Sequence, residues 1–336
     1  MVAVANNERI QKTWASEQGI RYRPASWRTE IAEAQIASFQ PDLLFFTSYS
    51  ELSPEWISHL RGQHPRVKVF GIWCGMPVRS ISIFGQFDLI LTCVPELKER
   101  FTTLGLNSRH IHHGFDVRVL EHIEQDREQD IPFSFIGQLI RARDFHGERI
   151  RQLERIAEAM EIAIFSPSYE LYRGSRWSLT RGLGHHVARL LARLQPMSRQ
   201  VKPSAPNASE KLRPYTRPAV FGLAMYQTLQ RTQVCFNSHI DISSGSASNR
   251  RLFESTGVGS CLLTDHKANL STLFELDREV VTFSSTEECI HKAKWLLDHP
   301  QERRRIARAG QRRTLSDHTV VQRAVQFDSL IREALR

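Results

Sequence analysis

The stretch Asn249-Arg250-Arg251-Leu252-Phe253-Glu254, running on through Gly257 and Gly259 to Cys261-Leu262-Leu263-Thr264-Asp265, decides how the rest of the chain is read. Just upstream, Gln233-Val234-Cys235-Phe236-Asn237 has the composition of a buried strand. Asp241 to Ser248 is Ser, Ala, Gly and Asp with one Ile, which reads as a loop. Leu252 to Val258 is expected to form a short helix and Cys261 to Thr264 a second buried strand. Two parallel strands joined by a loop and a helix make a βαβ unit. The loop meets the helix at its N-terminus, where free N–H groups and the dipole favour an anion. Arg250 and Arg251 add charge that a phosphate could use, and Glu254, one turn further in, suits a ribose diol. The combination fits a nucleoside diphosphate. The same residues also fit an ordinary solvated helix start.

Beyond this local reading, the stretch resembles the donor-site signature of glycosyltransferases of the GT-B fold. More narrowly, it is similar to the spore-maturation-protein (CgeB-like) branch of the group 1 glycosyltransferases. That pattern has an Arg, an apolar residue, Phe and Glu, then small residues and a Gly, then a strand ending in Thr-Asp. Arg251-Leu252-Phe253-Glu254, Gly259 and Thr264-Asp265 match it. Phe135-Ile136-Gly137, Phe221-Gly222-Leu223-Ala224-Met225-Tyr226, Asn237-Ser238-His239 and His318-Thr319 with Arg323 match further, so the likeness covers most of the chain. It implies an α/β protein of GT-B type, with two facing Rossmann-like domains, a cleft between them and a C-terminal helix crossing back. It also implies a hexosyltransferase-like enzyme that takes its sugar from a nucleotide sugar.

Composition narrows the partners. A chain of 336 residues suggests two domains of ordinary size. With 41% hydrophobic and 24% charged residues it reads as a globular protein. A net charge of +9 favours an acidic partner: a nucleotide sugar, an anionic membrane surface or nucleic acid. Nucleic acid ranks last, since no RNA-recognition signature, zinc-finger spacing or long basic run is present. Cys74, Cys93, Cys235, Cys261 and Cys289 are widely spaced without a CxxC pair, which reads as buried free thiols in a reducing compartment. The first residues have no signal-peptide core and no stretch has the length of a membrane span. A cytoplasmic protein is expected, with peripheral contact at the inner face of the membrane if the basic segment described below docks there.

Along the chain, helices are expected at Glu8–Glu17, at Thr29–Gln40 and from Pro54 behind a Ser53 cap. Strands are expected at Leu43–Phe46, Val67–Ile72, Phe87–Thr92 and Arg109–His112, with a helix from Pro95 to Gly105 between the last two. This gives an N-terminal, acceptor-side domain over 1–125, short and without the opening strand of larger relatives. The acidic run Glu121–Asp130 is expected to be the crossing between domains. The donor domain is expected over 131–315, with 316–336 as the returning helix. It opens with strand Pro132–Ile136 and the turn Gly137-Gln138, a glycine that either lets backbone approach a ligand or is an ordinary turn residue. Helix His146–Met160 and strand Ile162–Phe165 follow, and the resemblance places the loop from Ser166 beside the nucleotide base. A basic insertion is expected at 173–217. Within it Leu183, Val187, Leu190, Leu191 and Leu194 share one helical face, with Arg181, His185, Arg189 and Arg193 on another. That stripe fits docking on an anionic membrane or packing on its own domain.

The implied chemistry is rupture of the anomeric C–O bond with departure of a nucleoside diphosphate. Positive charge and N–H donors then belong at the leaving group. Gly137, Gln138, Ser166, Asn249, Arg250, Arg251 and Glu254 are the candidate donor-binding residues, with Glu254 on the ribose. No cofactor and no metal are implied, and the chain has no Asp-x-Asp. The acceptor stays open among carbohydrate, lipid-linked and protein classes. An inverting reaction needs a general base, for which His113 and Asp116, near His112, are candidates. Resemblance to the branch with the Glu motif points instead to retention of configuration. Where many relatives carry a second Glu, this chain has Gly245-Ser246-Ala247. A degenerate GT-B module that binds a nucleotide or a protein without turnover therefore remains an alternative. A dehydrogenase is disfavoured, because no Gly-x-Gly-x-x-Gly follows the first strand of either half.

Overall fold

The computed structural model describes residues 7–50, 52–76, 78, 80–125, 127–139, 146–172, 209–240 and 245–336. The Leu/Arg stripe between Arg181 and Leu194 lies outside them, as does most of the 173–217 insertion. The chain divides into two units. One comprises Met1–Thr92, Leu97–His110 and Ser329–Arg336; the other comprises Cys93–Glu96 and Ile111–Asp328.

The first unit is built on β1 (Leu43–Phe46), β2 (Val69–Trp73), β3 (Leu89–Thr92) and β4 (Ser108–His110). All neighbours pair parallel, in the order β1-β2-β3-β4. Helices α1 (Glu8–Glu17), α2 (Trp27–Phe39), α3 (Pro54–Gln63) and α4 (Pro95–Thr103) accompany them. The central strands are apolar and buried over Phe70, Ile72, Leu89, Ile90 and Leu91, as parallel strands covered on both faces must be. Helix α3 starts where expected: Pro54 fits the first turn and Ser53 accepts the Trp56 N–H at 3.1 Å. The Asp88 carboxylate joins strand to helix, accepting from the Phe70 N–H at 2.7 Å and from Arg61 at 2.8 Å.

The second unit holds a six-stranded parallel sheet in the order β10-β9-β8-β5-β6-β7. Its strands are β5 (Ile131–Ile136), β6 (Ala163–Phe165), β7 (Thr216–Arg217), β8 (Thr232–Asn237), β9 (Cys261–Asp265) and β10 (Val281–Phe283). Its helices are α5 (Gly147–Ala159), α6 (Ser168–Tyr172), α7 (Gly222–Arg231), α8 (Arg251–Gly257), α9 (Thr286–Asp298) and α10 (Pro300–Asp317). Helix α11 (Val320–Leu335) begins here, and its last residues group with the first unit. Side chains of β8 alternate between two cores. Val234 and Phe236 join Ile150, Leu153 and Ala293 on the α5 and α9 side, while Cys235 joins Leu252, Phe253 and Phe115 on the α8 side. The β8–α8–β9 unit forms as read, with Val234 opposite Cys261 and Asn237 opposite Thr264. Gly259, at φ +81°, makes the turn out of α8 that an L side chain would resist.

These two α/β units with parallel sheets are the two Rossmann-like domains that the resemblance implies. Two expectations shift. The acidic segment Glu121–Asp130 is not a free crossing, because its backbone and side chains are docked on the end of α7. Glu124 N–H donates to Gln227, Gln230 donates to Gln125 O, and Asp130 pairs with Arg231. The division falls at His110/Ile111 instead. The end of the basic insertion is also built into the sheet. A 3-10 turn at Glu210–Tyr215 leads into β7, which extends the sheet beyond β6. All five cysteines are buried and free, and burial pushes the Cys93 and Cys261 thiols up to about 12. Among the described residues, no helix is long and apolar enough to cross a membrane.

Candidate functional site

The order of the second sheet reverses between β8 and β5. In open parallel sheets, ligands bind beyond the strand C-termini at such a reversal. Here those ends are Ile136-Gly137 after β5 and Asn237-Ser238-His239 after β8, with Thr264-Asp265 closing β9 beside them. Helix α8 starts at the same edge.

Helix α8 starts at Arg251, one residue earlier than read, with Arg250 already helical in its torsions. Its first ladder bonds run from the Phe253 and Glu254 N–H groups to Arg250 O, both 3.0 Å, so the Arg251 and Leu252 N–H groups lie ahead of the ladder. The two arginines have different roles. Arg251 is largely buried: Nη2 donates to Ile136 O at 3.2 Å, and Nη1 lies 3.0 Å from Glu254 Oε2. It ties α8 to the end of β5 and holds the Glu254 carboxylate, which is itself 13% exposed. Arg250 is exposed and has no ion-pair partner among the described residues. Asn249 Nδ2 donates to Asn237 Oδ1 at 2.8 Å, and Asn237 Nδ2 to Thr264 Oγ1 at 2.8 Å. This amide chain fixes the approach to α8 across β8 and β9.

Other expected residues are committed to the scaffold. The Gly137 N–H donates to Phe165 O at 3.1 Å, prolonging the β5–β6 ladder. A Cβ there would lie 2.7 Å from the Phe135 ring, so any side chain at this position has to displace that ring. Gln138 is half-buried beside it. Ser166 is fully buried; its N–H donates to Arg217 O and its Oγ accepts the Ser168 N–H at 3.2 Å, at the start of α6. Asp116 caps the 3-10 turn Val117–Glu121 and pairs with Arg118 at 2.6 Å. The Arg118 hydrogen bonds hold its carboxyl below the usual value against a small desolvation cost. Burial, with Arg250 nearby, pushes the His113 imidazole down to about 4. His318 accepts from Arg323 at 2.8 Å through Nδ1 and bonds Leu273 O at 2.9 Å through Nε2. With the Phe115–Thr319 bridge, it fastens the start of α11 to this unit.

A second polar cluster, to which the sequence motifs assign no role, stands at the same strand ends. His239 Nδ1 lies 2.7 Å from Asp265 Oδ1, the His239 N–H donates to the same carboxylate, and Lys267 Nζ stands 3.3 Å away. Burial works to raise the Asp265 carboxyl. The hydrogen bond from His239 and the nearby His239 and Lys267 outweigh it, so the group stays below its ordinary value. Arg149 of α5, buried over the Phe135 ring, donates through Nε to Ser238 O at 3.1 Å. Asn237-Ser238-His239 and Thr264-Asp265 were visible as strand-end motifs; their pairing across 26 residues was not. Among the described residues no three His, Cys, Asp or Glu side chains converge to hold a metal ion.

Residues 109–329 match the family described as glycosyl transferase-like. None of the curated proteins compared with the chain matches it. Among solved structures, sucrose-phosphate synthase from Thermosynechococcus elongatus is similar with a TM-score of 0.59 at 13% identity, over 91% of this chain and 77% of that one. Anabaena Alr3699/HepE in complex with UDP-glucose gives a TM-score of 0.58 at 11% identity, over 96% and 88%. A glycosyltransferase from Rickettsia africae gives 0.56 at 10% identity, over 97% and 88%.

Proposed function

The chain belongs to the glycosyl transferase-like family, and we propose that it moves a sugar from a nucleoside-diphosphate donor bound at the reversal between β8 and β5. The observation that carries this is the α8 start. An oriented, largely buried carboxylate, Glu254, and an exposed arginine, Arg250, with no ion-pair partner among the described residues, meet at the C-terminal ends of a parallel sheet. Glu254, held by Arg251, accepts from the ribose hydroxyls. Arg250 and the Arg251 and Leu252 N–H groups meet the diphosphate and stabilise its charge as the anomeric C–O bond breaks. Arg251 acts by positioning Glu254 and not by touching phosphate. That HepE has been solved with UDP-glucose, on a similar fold, supports a nucleotide sugar as donor.

The finer reading is a hexosyltransferase of the CgeB-like branch that needs no metal, with acceptor recognition in the first unit. With His113 weakly basic and Asp116 pinned by Arg118, neither suits a general base, and the reading takes retention. A nucleotide-binding module without turnover is the second reading. Its support is the buried, carboxylate-free segment Ser246-Ala247-Ser248, clamped through Ala247 to Asn269 at 2.7 Å. Release of free diphosphate from nucleotide sugar separates the two.

Isothermal titration with UDP, GDP and dTDP, alongside the free nucleosides, tests the site. A charge-assisted bond contributes roughly 1.5–3 kcal/mol, so Glu254→Gln is expected to weaken the preferred diphosphate about tenfold or more. Arg250→Ala is expected to weaken the diphosphate and leave the nucleoside unchanged. Wild-type affinity in both variants would remove the donor site from this helix.

A further inference from the structure

We propose that His239 Nε2 is a hydrogen-bond acceptor for a hydroxyl of the donor's sugar, oriented by Asp265 and Lys267. This rests on the reading of the sheet reversal as the donor site. The His239 side chain is 1% exposed, and its Nε2 is buried with no hydrogen-bond partner among the described residues. Its other nitrogen is fixed by Asp265 at 2.7 Å. Buried ring nitrogens are normally satisfied, and a dry, unpaired one is costly. Around it, Asn237 is bonded to Thr264, Arg149 to Ser238 O, and Asp265 to His239 and Lys267. His239 is thus aimed on one side and unsatisfied on the other.

The chemistry of the pair decides the kind of ligand. Asp265 accepts the Nδ1 proton, and Lys267 at 3.3 Å already supplies its counter-charge. In the neutral ring, that tautomer leaves Nε2 as a lone-pair acceptor. A phosphate oxygen offers only acceptors and would meet it unfavourably, whereas a sugar hydroxyl can donate to it. Position agrees. Glu254 and Arg250 lie at α8, on the Cys235 side of β8. Asp265 follows Leu263 by two residues, and Leu263 belongs to the opposite core with Phe236. A donor whose ribose is held at α8 and which continues past the β8 end presents its sugar toward His239. Shielding from bulk water strengthens a hydrogen bond made there.

The test compares binding of UDP with its glucose, galactose and N-acetylglucosamine conjugates, or the GDP or dTDP set if the diphosphate panel favours another base. His239→Leu is expected to lose roughly tenfold for the bound sugar conjugate and nothing for the free diphosphate. His239→Gln, which can set an acceptor near the Nε2 position, is expected to recover much of the loss. Melting temperatures establish that both variants fold. If wild type binds no diphosphate, the donor site falls and this inference with it. If wild type binds a conjugate and His239→Leu binds it equally well, only the inference falls. Nitrogen NMR of the wild-type ring needs no variant. An unprotonated Nε2 that shifts with the sugar conjugate and not with the free diphosphate supports the proposal. A protonated Nε2, or an equal shift with the diphosphate alone, overturns it in favour of a phosphate contact.

Discussion

The two sheets are both parallel and helix-covered, yet among the described strands only the second has a reversal. In the first unit the order β1-β2-β3-β4 runs in one direction, and among the described residues its buried polar side chains are few: Gln11, Gln35, Thr92 and Ser108. In the second, β8 and β5 meet at a reversal, and Asn237, Ser238, His239 and Thr264 are buried at or just past the strand ends there, with Arg149 against them. Burying polar groups at one edge costs stability unless they are bonded. The contrast teaches that the first sheet is built for packing, whereas the second gives up apolar packing at one edge to hold a hydrogen-bonded constellation.

The largest effect expected from breaking this contrast is in the cores. Phe70 in β2 and Phe253 in α8 are both fully buried. Either substitution to Ala is expected to cost about 3–5 kcal/mol in chemical denaturation. The two should then part. At a temperature where both remain folded, Phe253→Ala should weaken nucleotide binding through its neighbour Glu254, and Phe70→Ala should not. Equal effects on binding would erase the distinction.

Acid sharpens the comparison next. Burial, with Arg149 adding to it, pushes His146 at the start of α5 down to about 3. Its folded value is below the ordinary 6.5, so the unfolded chain takes up the proton first. The second unit should hold its full stability above pH 6.5 and lose it as the pH falls toward 3, with about 2 kcal/mol gone through this group by pH 5. His146→Gln should flatten that slope in urea titrations between pH 7 and 5; an unchanged slope would refute a buried neutral His146.

How much was legible follows the range of each interaction. β1 at Leu43–Phe46 and α1 at Glu8–Glu17 match their reading residue for residue, because an apolar run or a helical period lies within a few residues of its own stop signal. The β8–α8–β9 unit was legible for the same reason. Arg251 was read as a phosphate ligand, but its partner Ile136 O lies 115 residues earlier and becomes a neighbour only through the strand order. Gly137 was read as a ligand-facing turn, but its N–H belongs to Phe165, again through a strand pairing. β7 has only two residues, too few for any periodic signal.

The smallest effect expected is at the helix caps. Ser53 accepts from Trp56 N–H in the first unit and Ser285 from Glu288 N–H in the second, each at 3.1 Å. Either change to Ala should cost about 1 kcal/mol in denaturation and leave nucleotide affinity untouched. A cap variant that altered affinity would show the sites and the scaffold to be less separable than drawn here.

Amide hydrogen exchange with and without saturating UDP tests the central claim most directly. The greatest added protection is expected across residues 245–257 and around 134–139, where α8 meets the end of β5, with less in 43–46, 69–73 and 89–92. Protection greatest in the strands of the first unit, or bound UDP that leaves 245–257 unprotected, would contradict it.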